Sequence, residues 1–153
     1  MTTKNYRAKT IIGWHEWCAL PELNLPGIIA KIDTGAKTSS LHAFRLKPFR
    51  RKGEEWLRFY VHPVQRHRHP EVLCEARLVD ERSVTSSNGE SEQRPVIKTI
   101  LNMGHLSFSS EITLTNRDDM GFRLLIGRRA LARRFIVDSG ISYALGEPQQ
   151  EDI

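Results

Sequence analysis

Leu106, Phe108, Ser110, Ile112 and Leu114 alternate with His105, Ser107, Ser109, Glu111 and Thr113. That period of two places one set on a core face and the other on a solvated or partner face of a strand. Leu57, Phe59 and Val61 repeat the pattern against Trp56, Arg58, Tyr60 and His62, as do Val72, Cys74, Ala76 and Leu78 against Leu73, Glu75, Arg77 and Val79. Further strands are expected over residues 9–14, 17–20, 28–33, 95–102, 122–126 and 135–138. The one helical candidate spans residues 128–134, about two turns directly after a glycine, where Ala130, Leu131 and Ala132 have good propensity. Two stretches read as loops. Residues 83–94 are rich in Ser, Asn and Gly and carry an Asn-Gly step, and residues 63–70 are bracketed by prolines. The expectation is an all-β sheet folded on itself, with one short helix.

At 153 residues with a formal charge of +5, the chain fits one compact domain with its own core. The boundaries read as an N-terminal tail over residues 1–9, a domain over 10–145 and a C-terminal tail over 146–153. Composition excludes disorder and collagen-like repeats. No apolar run reaches the roughly 18–20 residues of a spanning helix, and the N-terminus lacks the apolar segment of a secretion signal. The reading is therefore cytoplasmic, with no membrane partner. Cys18 and Cys74 are too few for a disulfide framework and read as buried thiols.

The chemically informative segment is Ile28-Ile29-Ala30-Lys31-Ile32-Asp33-Thr34-Gly35-Ala36, an apolar strand ending in Asp-Thr-Gly. A carboxylate at a strand end followed by glycine presents its oxygens outward on a tight turn, and Gly35 lets another backbone approach. That suits a catalytic acid. Alone it is also a common turn, with Asp33 accepting backbone N–H groups. A second segment, Phe122-Arg123-Leu124-Leu125-Ile126-Gly127-Arg128-Arg129-Ala130-Leu131, adds an apolar strand, a glycine and a helix start.

Together these two segments resemble the signature of the retropepsin-like aspartic peptidases. The resemblance implies a single-domain, closed β-barrel in which Leu125-Ile126-Gly127 lies behind the Asp-Thr-Gly turn, with one strand threading between two others. More narrowly, DTGAKTSSLHA (residues 33–43), RPVI (94–97) and LTNRDDMGFRLLIGRRAL (114–131) are similar to a bacterial family found beside the glutamate ligase that modifies a small-subunit ribosomal protein. Members of that family are often called ATP-dependent zinc proteases. The resemblance implies an aspartic endopeptidase acting on glutamate-rich peptide. In that reading Asp33 is catalytic, Thr34 and Gly35 complete its turn, and Gly127 supports it. Ala36, Lys37, His42, Arg117 and Arg128 lie on the substrate side.

An aspartic peptidase needs two carboxylates sharing a proton, and one Asp-Thr-Gly supplies one. A homodimer bringing two copies of Asp33 together is the expected solution, with Thr34 bracing the turn across the axis. The rival within the chain is Asp138, in the echo Val137-Asp138-Ser139-Gly140, although only 15 residues follow it. In the viral pattern an acidic residue follows Asp-Thr-Gly-Ala and pairs with the Arg of the Gly-Arg step; this chain has Lys37. Lys37 and Arg128 would repel unless Asp118, Asp119 or an anion lies between them, and Lys37, Arg117 and Arg128 would select acidic side chains. Residues 83–94 would cover the cleft as a flap.

No metal and no cofactor are expected. There is no HExxH step, and the close histidines, His62, His67 and His69, sit with Arg66 and Arg68, whose charges oppose a cation. No Gly-rich phosphate loop accompanies the ATP label. Two other readings stay open: a zinc-dependent peptidase, and a non-catalytic ribosome- or partner-binding module suggested by Lys47, Arg50, Arg51 and Lys52 and by Arg128, Arg129, Arg133 and Arg134. No interleaving of aromatic and basic residues marks a nucleic-acid platform, so a nucleic-acid partner is not expected.

Overall fold

The computed structural model describes residues 8–86, 88–117 and 121–148. Asp118 and Asp119, Ser87, and the outer parts of both expected tails lie outside the described residues. The strands are β1 (Thr10–Ile12), β2 (His15–Leu20), β3 (Leu25–Ile32), β4 (Ser39–His42), β5 (Phe44–Arg51), β6 (Glu54–Val61), β7 (Val72–Thr85), β8 (Ser91–Met103), β9 (Leu106–Thr115), β10 (Leu124–Ile126) and β11 (Phe135–Val137). A 3₁₀ turn, Pro21–Leu23, follows β2, and the short helix α1 is Arg128–Leu131.

The fold is all-β. Nine strands form one sheet in the order β2-β3-β10-β4-β9-β8-β7-β6-β5, and β2 returns to β8 through the pair Ala19 and Asn102. The first six strands thus make a closed circuit from which β7, β6 and β5 extend. Ile28, Ala30, Leu41, Ile97, Leu101, Ile112, Leu114 and Leu124 of the circuit form one buried core with Phe59 of the extension. A separate parallel pair, β1 with β11, sits outside the sheet. Among the described residues no helix is long and apolar enough to cross a membrane. Cys18 and Cys74 are both buried free thiols, and burial pushes Cys74 up to about 12 and Cys18 higher still, with Glu16 adding to the latter.

Several expectations are corrected. Residues 83–94 are not a loop: β7 runs on to Thr85 and β8 begins at Ser91, paired residue for residue to the tip. Only the turn around Asn88-Gly89 is irregular, with Gly89 at φ +86°. Polar sequence concealed these strands because both faces of the hairpin arm are largely exposed. The segment Phe44–Arg51 is also a strand. As the outermost strand it tolerates Pro48, since an edge strand has N–H groups that need no partner. It turns into β6 through Lys52 and Gly53, both at positive φ, as a primed two-residue hairpin requires. Ser39–His42, too polar to show an apolar period, is buried on both faces. The helix closes after one turn, not two, at Leu131, with Arg133 in the left-handed region at φ +69°. The strand expected over 122–126 starts at Leu124, and that over 9–14 is only Thr10–Ile12, since Gly13 and Trp14 lie between β1 and β2, which begins at His15.

Candidate active site

β10 lies between β3, to which it is parallel, and β4, to which it is antiparallel, with Leu125 opposite Lys31 on one side and Ser40 on the other. The turn at the end of β3 is built on this threaded strand. The Asp33 N–H donates to the Ile126 carbonyl (2.8 Å), and the Ala36 N–H closes the turn on the Asp33 carbonyl (3.2 Å). The Gly35 N–H donates to Asp33 Oδ1 (3.2 Å), which leaves Oδ2 directed by no other hydrogen bond among the described residues. Asp33 is half-buried, while Thr34 and Gly35 are exposed.

Gly127 is the position where backbones come closest. A Cβ there would lie 2.7–3.0 Å from Thr38 C, Thr38 O and Ala36 O, so the turn and the start of α1 meet only because this residue has no side chain. Gly35, by contrast, has only Asp33 Oδ1 near its Cβ position, at 3.4 Å; the close approach expected at Gly35 occurs at Gly127. The Gly127 N–H donates to Ser39 Oγ (3.0 Å), Arg128 N–H to the Ala36 carbonyl (2.8 Å) and Arg129 N–H to the Lys37 carbonyl (3.1 Å). Arg128 Nη1 then donates to the Thr34 and Gly35 carbonyls at 3.1 and 3.0 Å. The guanidinium expected on the substrate side therefore clamps the turn from behind, facing carbonyl oxygens rather than Lys37. Lys37 itself is exposed beside it.

Asp138 belongs to a second turn of the same construction. Its N–H donates to the Ile12 carbonyl (2.8 Å), and the Gly140 N–H to Asp138 Oδ1 (2.9 Å). Its apolar-Gly support is Ile11-Ile12-Gly13, at the other end of the chain. Gly13 plays the part of Gly127, since a Cβ there would lie 2.2 Å from the Ile141 carbonyl oxygen. Trp14 joins the two turns: its N–H donates to the Ile141 carbonyl (3.0 Å), and its carbonyl accepts from the Ile32 N–H (2.8 Å), one residue before Asp33.

A cleft of about 360 Å³ opens at Lys31, two residues before Asp33 on β3; it is lined by Lys31, Ser40, Arg94, Thr115 and Arg117 over Phe122 and Leu125, and the turn residues Asp33, Thr34, Gly35 and Ala36 do not line it. Arg94, only 6% exposed, is held by Glu92 (Nε to Oε2, 3.1 Å) and Ser40 Oγ (3.3 Å). Ser40 in turn hydrogen-bonds Thr113 (2.9 Å). The cleft explains why β9 departs from simple alternation beyond Glu111, since Thr113 and Thr115 are buried beneath these side chains. Of the expected substrate-side residues, Arg117 lines the cleft. His42 is buried, and its Nδ1 accepts the Arg117 N–H (3.0 Å), which fixes the segment carrying that arginine. Ala36, Lys37 and Arg128 belong to the turn and not to the cleft lining. Lys31 and Arg94 were missed. Lys31 was legible as the one outward, charged position in the apolar run before Asp33. Arg123 adds a further cation, 5% exposed and without an ion-pair partner among the described residues.

Histidine, cysteine and carboxylate donors do not converge: among the described residues no three come together as metal ligands. His62 Nε2 lies 3.4 Å from Glu71, and Glu16 is committed to backbone N–H groups. The described residues do not fit a bound zinc ion.

Residues 11–148 match a family described as RimB-like, retropepsin-like aspartic endopeptidase RimB. The chain is 49% identical over 139 residues to a probable alpha-L-glutamate ligase of Shewanella pealeana, covering 91% of this chain and 30% of that protein. It is 47% identical over 146 residues to a protein of the same description from Desulfotalea psychrophila, covering 95% and 32%. The chain thus spans about a third of the length of these curated relatives. A crystal structure of a Legionella pneumophila protein of unknown function superposes with a TM-score of 0.77 at 29% identity, covering 90% of this chain and 99% of that one.

Proposed function

The chain belongs to the RimB-like family of retropepsin-like aspartic endopeptidases, and on that premise we propose that it hydrolyses peptide bonds with water activated at Asp33, preferring glutamate-rich peptide. The observation that carries this reading is the Asp33 carboxylate on a turn locked from behind by Gly127 and Arg128; Lys31, on the strand that leads into that turn, belongs to a cleft it shares with Arg94 and Arg117. The second carboxylate comes from Asp33 of a second copy. Two carboxyl groups that close share one proton; one takes a proton from water as the water attacks the peptide carbonyl, and the other donates its proton to the carbonyl oxygen. No covalent intermediate forms. Thr34, exposed at the tip, faces the second copy, and the β7–β8 hairpin, which carries Arg94 opposite Arg82, closes over the substrate.

An apolar surface supports the dimer. Ile11 and Ile136 pair across β1 and β11, yet are 56% and 52% exposed, and Trp14, Ile141 and Tyr143 continue the patch. Large apolar side chains gathered beside one turn mark an interaction surface. Ile136→Glu is expected to give a monomer in sedimentation and to remove peptide hydrolysis, with the melting temperature little changed because the side chain is exposed. A monomer that retains full activity would overturn the shared-dyad reading.

Lys31, Arg94 and Arg117 support a preference for acidic side chains. Charge-assisted hydrogen bonds contribute about 1.5–3 kcal/mol, so replacing Glu by Gln next to the scissile bond should lower kcat/KM roughly 10- to 100-fold. Equal cleavage of Glu and Gln peptides would remove the preference while leaving the peptidase reading in place.

A further inference from the structure

The solvent face of the sheet extension combines aromatic rings and cations from four strands. On β6, Trp56, Arg58 and Tyr60 point away from the core that receives Leu57, Phe59 and Val61. Register sets Phe49 opposite Trp56 and Lys47 opposite Arg58 on one side, and Arg77 opposite Trp56 on the other, with Lys98 of β8 beyond Arg77. The Phe49 and Trp56 rings are 6.3 Å apart. The Arg51 guanidinium lies 4.5 Å from the Trp56 centroid and 5.2 Å from that of Phe49, and Arg58 lies 5.3 Å from Phe49.

Beside this face, where β7 and β8 separate after the pair Arg77 and Lys98, there is a groove of about 690 Å³. Arg51, Arg58, Arg77 and Lys98 line it against Glu22 and Glu75. Glu75 is already occupied by Arg51 (3.0 Å) and Arg58 (2.9 Å). Trp56 and Thr99 also line it; their indole N–H and hydroxyl are buried beneath the groove wall with no hydrogen-bond partner among the described residues, which is rare in folded chains.

We propose that this face and groove bind a single-stranded polynucleotide, with phosphates along Arg58, Arg77 and Lys98 and bases stacked on the Phe49, Arg51 and Trp56 array. Single strands are held by cations that track the backbone and by flat groups on which bases stack. The structure supplies both within one exposed sheet surface. Arg77 Nε lies 3.4 Å from Glu54, so any anion here competes with Glu54 and Glu75 for the arginines, and an acidic peptide would gain nothing from the rings. The surface is centred on the β5–β7 extension and reaches the circuit only at Lys98 and Thr99 of β8 and at the turn after β2; it shares no residue with the Asp33 turn, so it does not depend on the peptidase reading.

The test is fluorescence anisotropy of the full chain with a labelled oligouridylate of twelve nucleotides, titrated from low to physiological salt. Three or four phosphate contacts predict a slope of about −2 to −3 in log affinity against log salt. Arg77→Glu with Lys98→Glu, both at solvent-facing positions, should weaken binding at least about tenfold and flatten the slope. Trp56→Leu should weaken it roughly 5- to 100-fold with the slope unchanged, as loss of a stacking surface does. Arg129→Glu with Arg133→Glu, an equal charge change elsewhere, should have little effect. Absence of binding at low salt, or equal loss in both charge-reversed variants, overturns the proposal. So does displacement of the oligonucleotide by a glutamate-rich peptide whose own binding is abolished by Arg77→Glu with Lys98→Glu, since the groove would then be a peptide exosite.

Discussion

Asp33→Asn should abolish hydrolysis of a glutamate-rich peptide, with kcat lowered by at least about 10³- to 10⁴-fold, the scale of a lost general acid–base group. The substitution is a sharp test because the amide is nearly isosteric. Its oxygen still accepts the Gly35 N–H now bound to Oδ1, and the backbone bonds of Asp33 to Ile126 and Ala36 are untouched, so the melting temperature and sedimentation should not change. What it removes is the titratable carboxyl group with which the dyad shares its proton. Mixing extends the test. If the dyad spans two copies, equal parts of the parent chain and Asp33→Asn, allowed to exchange, should retain about one quarter of the parent activity, because only parent homodimers carry two carboxylates. Retention of about one half, together with loss in Asp138→Asn, would place the second carboxylate in the Asp138 turn instead. Hydrolysis that survives Asp33→Asn would favour a metal-dependent mechanism, and a parent chain that cleaves no such peptide would favour the binding-module reading.

Glu16→Ala should be the most destabilising single change, lowering stability by about 3–5 kcal/mol and the melting temperature by roughly 10–15 °C on the usual scale for this length. Glu16 is fully buried. Its Oε2 accepts the N–H groups of Gly13 (2.7 Å) and Ala144 (2.8 Å), and Oε1 accepts that of Leu145 (3.0 Å). One side chain on β2 thus pins the C-terminal segment against the bend after β1. Alanine leaves three backbone donors without a partner, as well as a void. Glu16→Gln should cost about half as much, because its carbonyl oxygen can take the place of Oε2 while its NH₂ opposes the Leu145 N–H. A thermal melt of both variants checks the order; equal and small shifts would mean that water replaces the carboxylate freely. Since the pinned segment carries Ile141 and Tyr143 of the exposed apolar patch, Glu16→Ala should also weaken self-association.

Alternation in β6 and β9 and the apolar runs of β3 and β10 were legible along the chain, because a half-buried strand writes its two faces into neighbouring residues. The Asp-Thr-Gly turn and its Gly-Arg support were also legible, 92 residues apart from Gly35 to Gly127, because each half is a local motif. Strands without a local apolar period were not: β4 is polar yet buried under the cleft, β5 is an edge, and the outer parts of β7 and β8 stand in solvent.

The sequence by itself determined the strand-forming pattern, the all-β class and the aspartyl turn, all of which depend on residues within a few positions of one another. Only the tertiary structure decided which charges meet. It turned Arg128 onto the carbonyls of the turn, joined Lys31 to Arg94 and Arg117, supplied the Asp138 turn with its glycine from the opposite end of the chain, and laid Arg51 over Phe49 and Trp56. Lys31, Arg94 and Arg51 are placed by register between strands far apart in sequence, and a shift of one residue would send those side chains to the other face; Arg117, Arg128 and the Asp138 turn are placed by the segments that leave those strands.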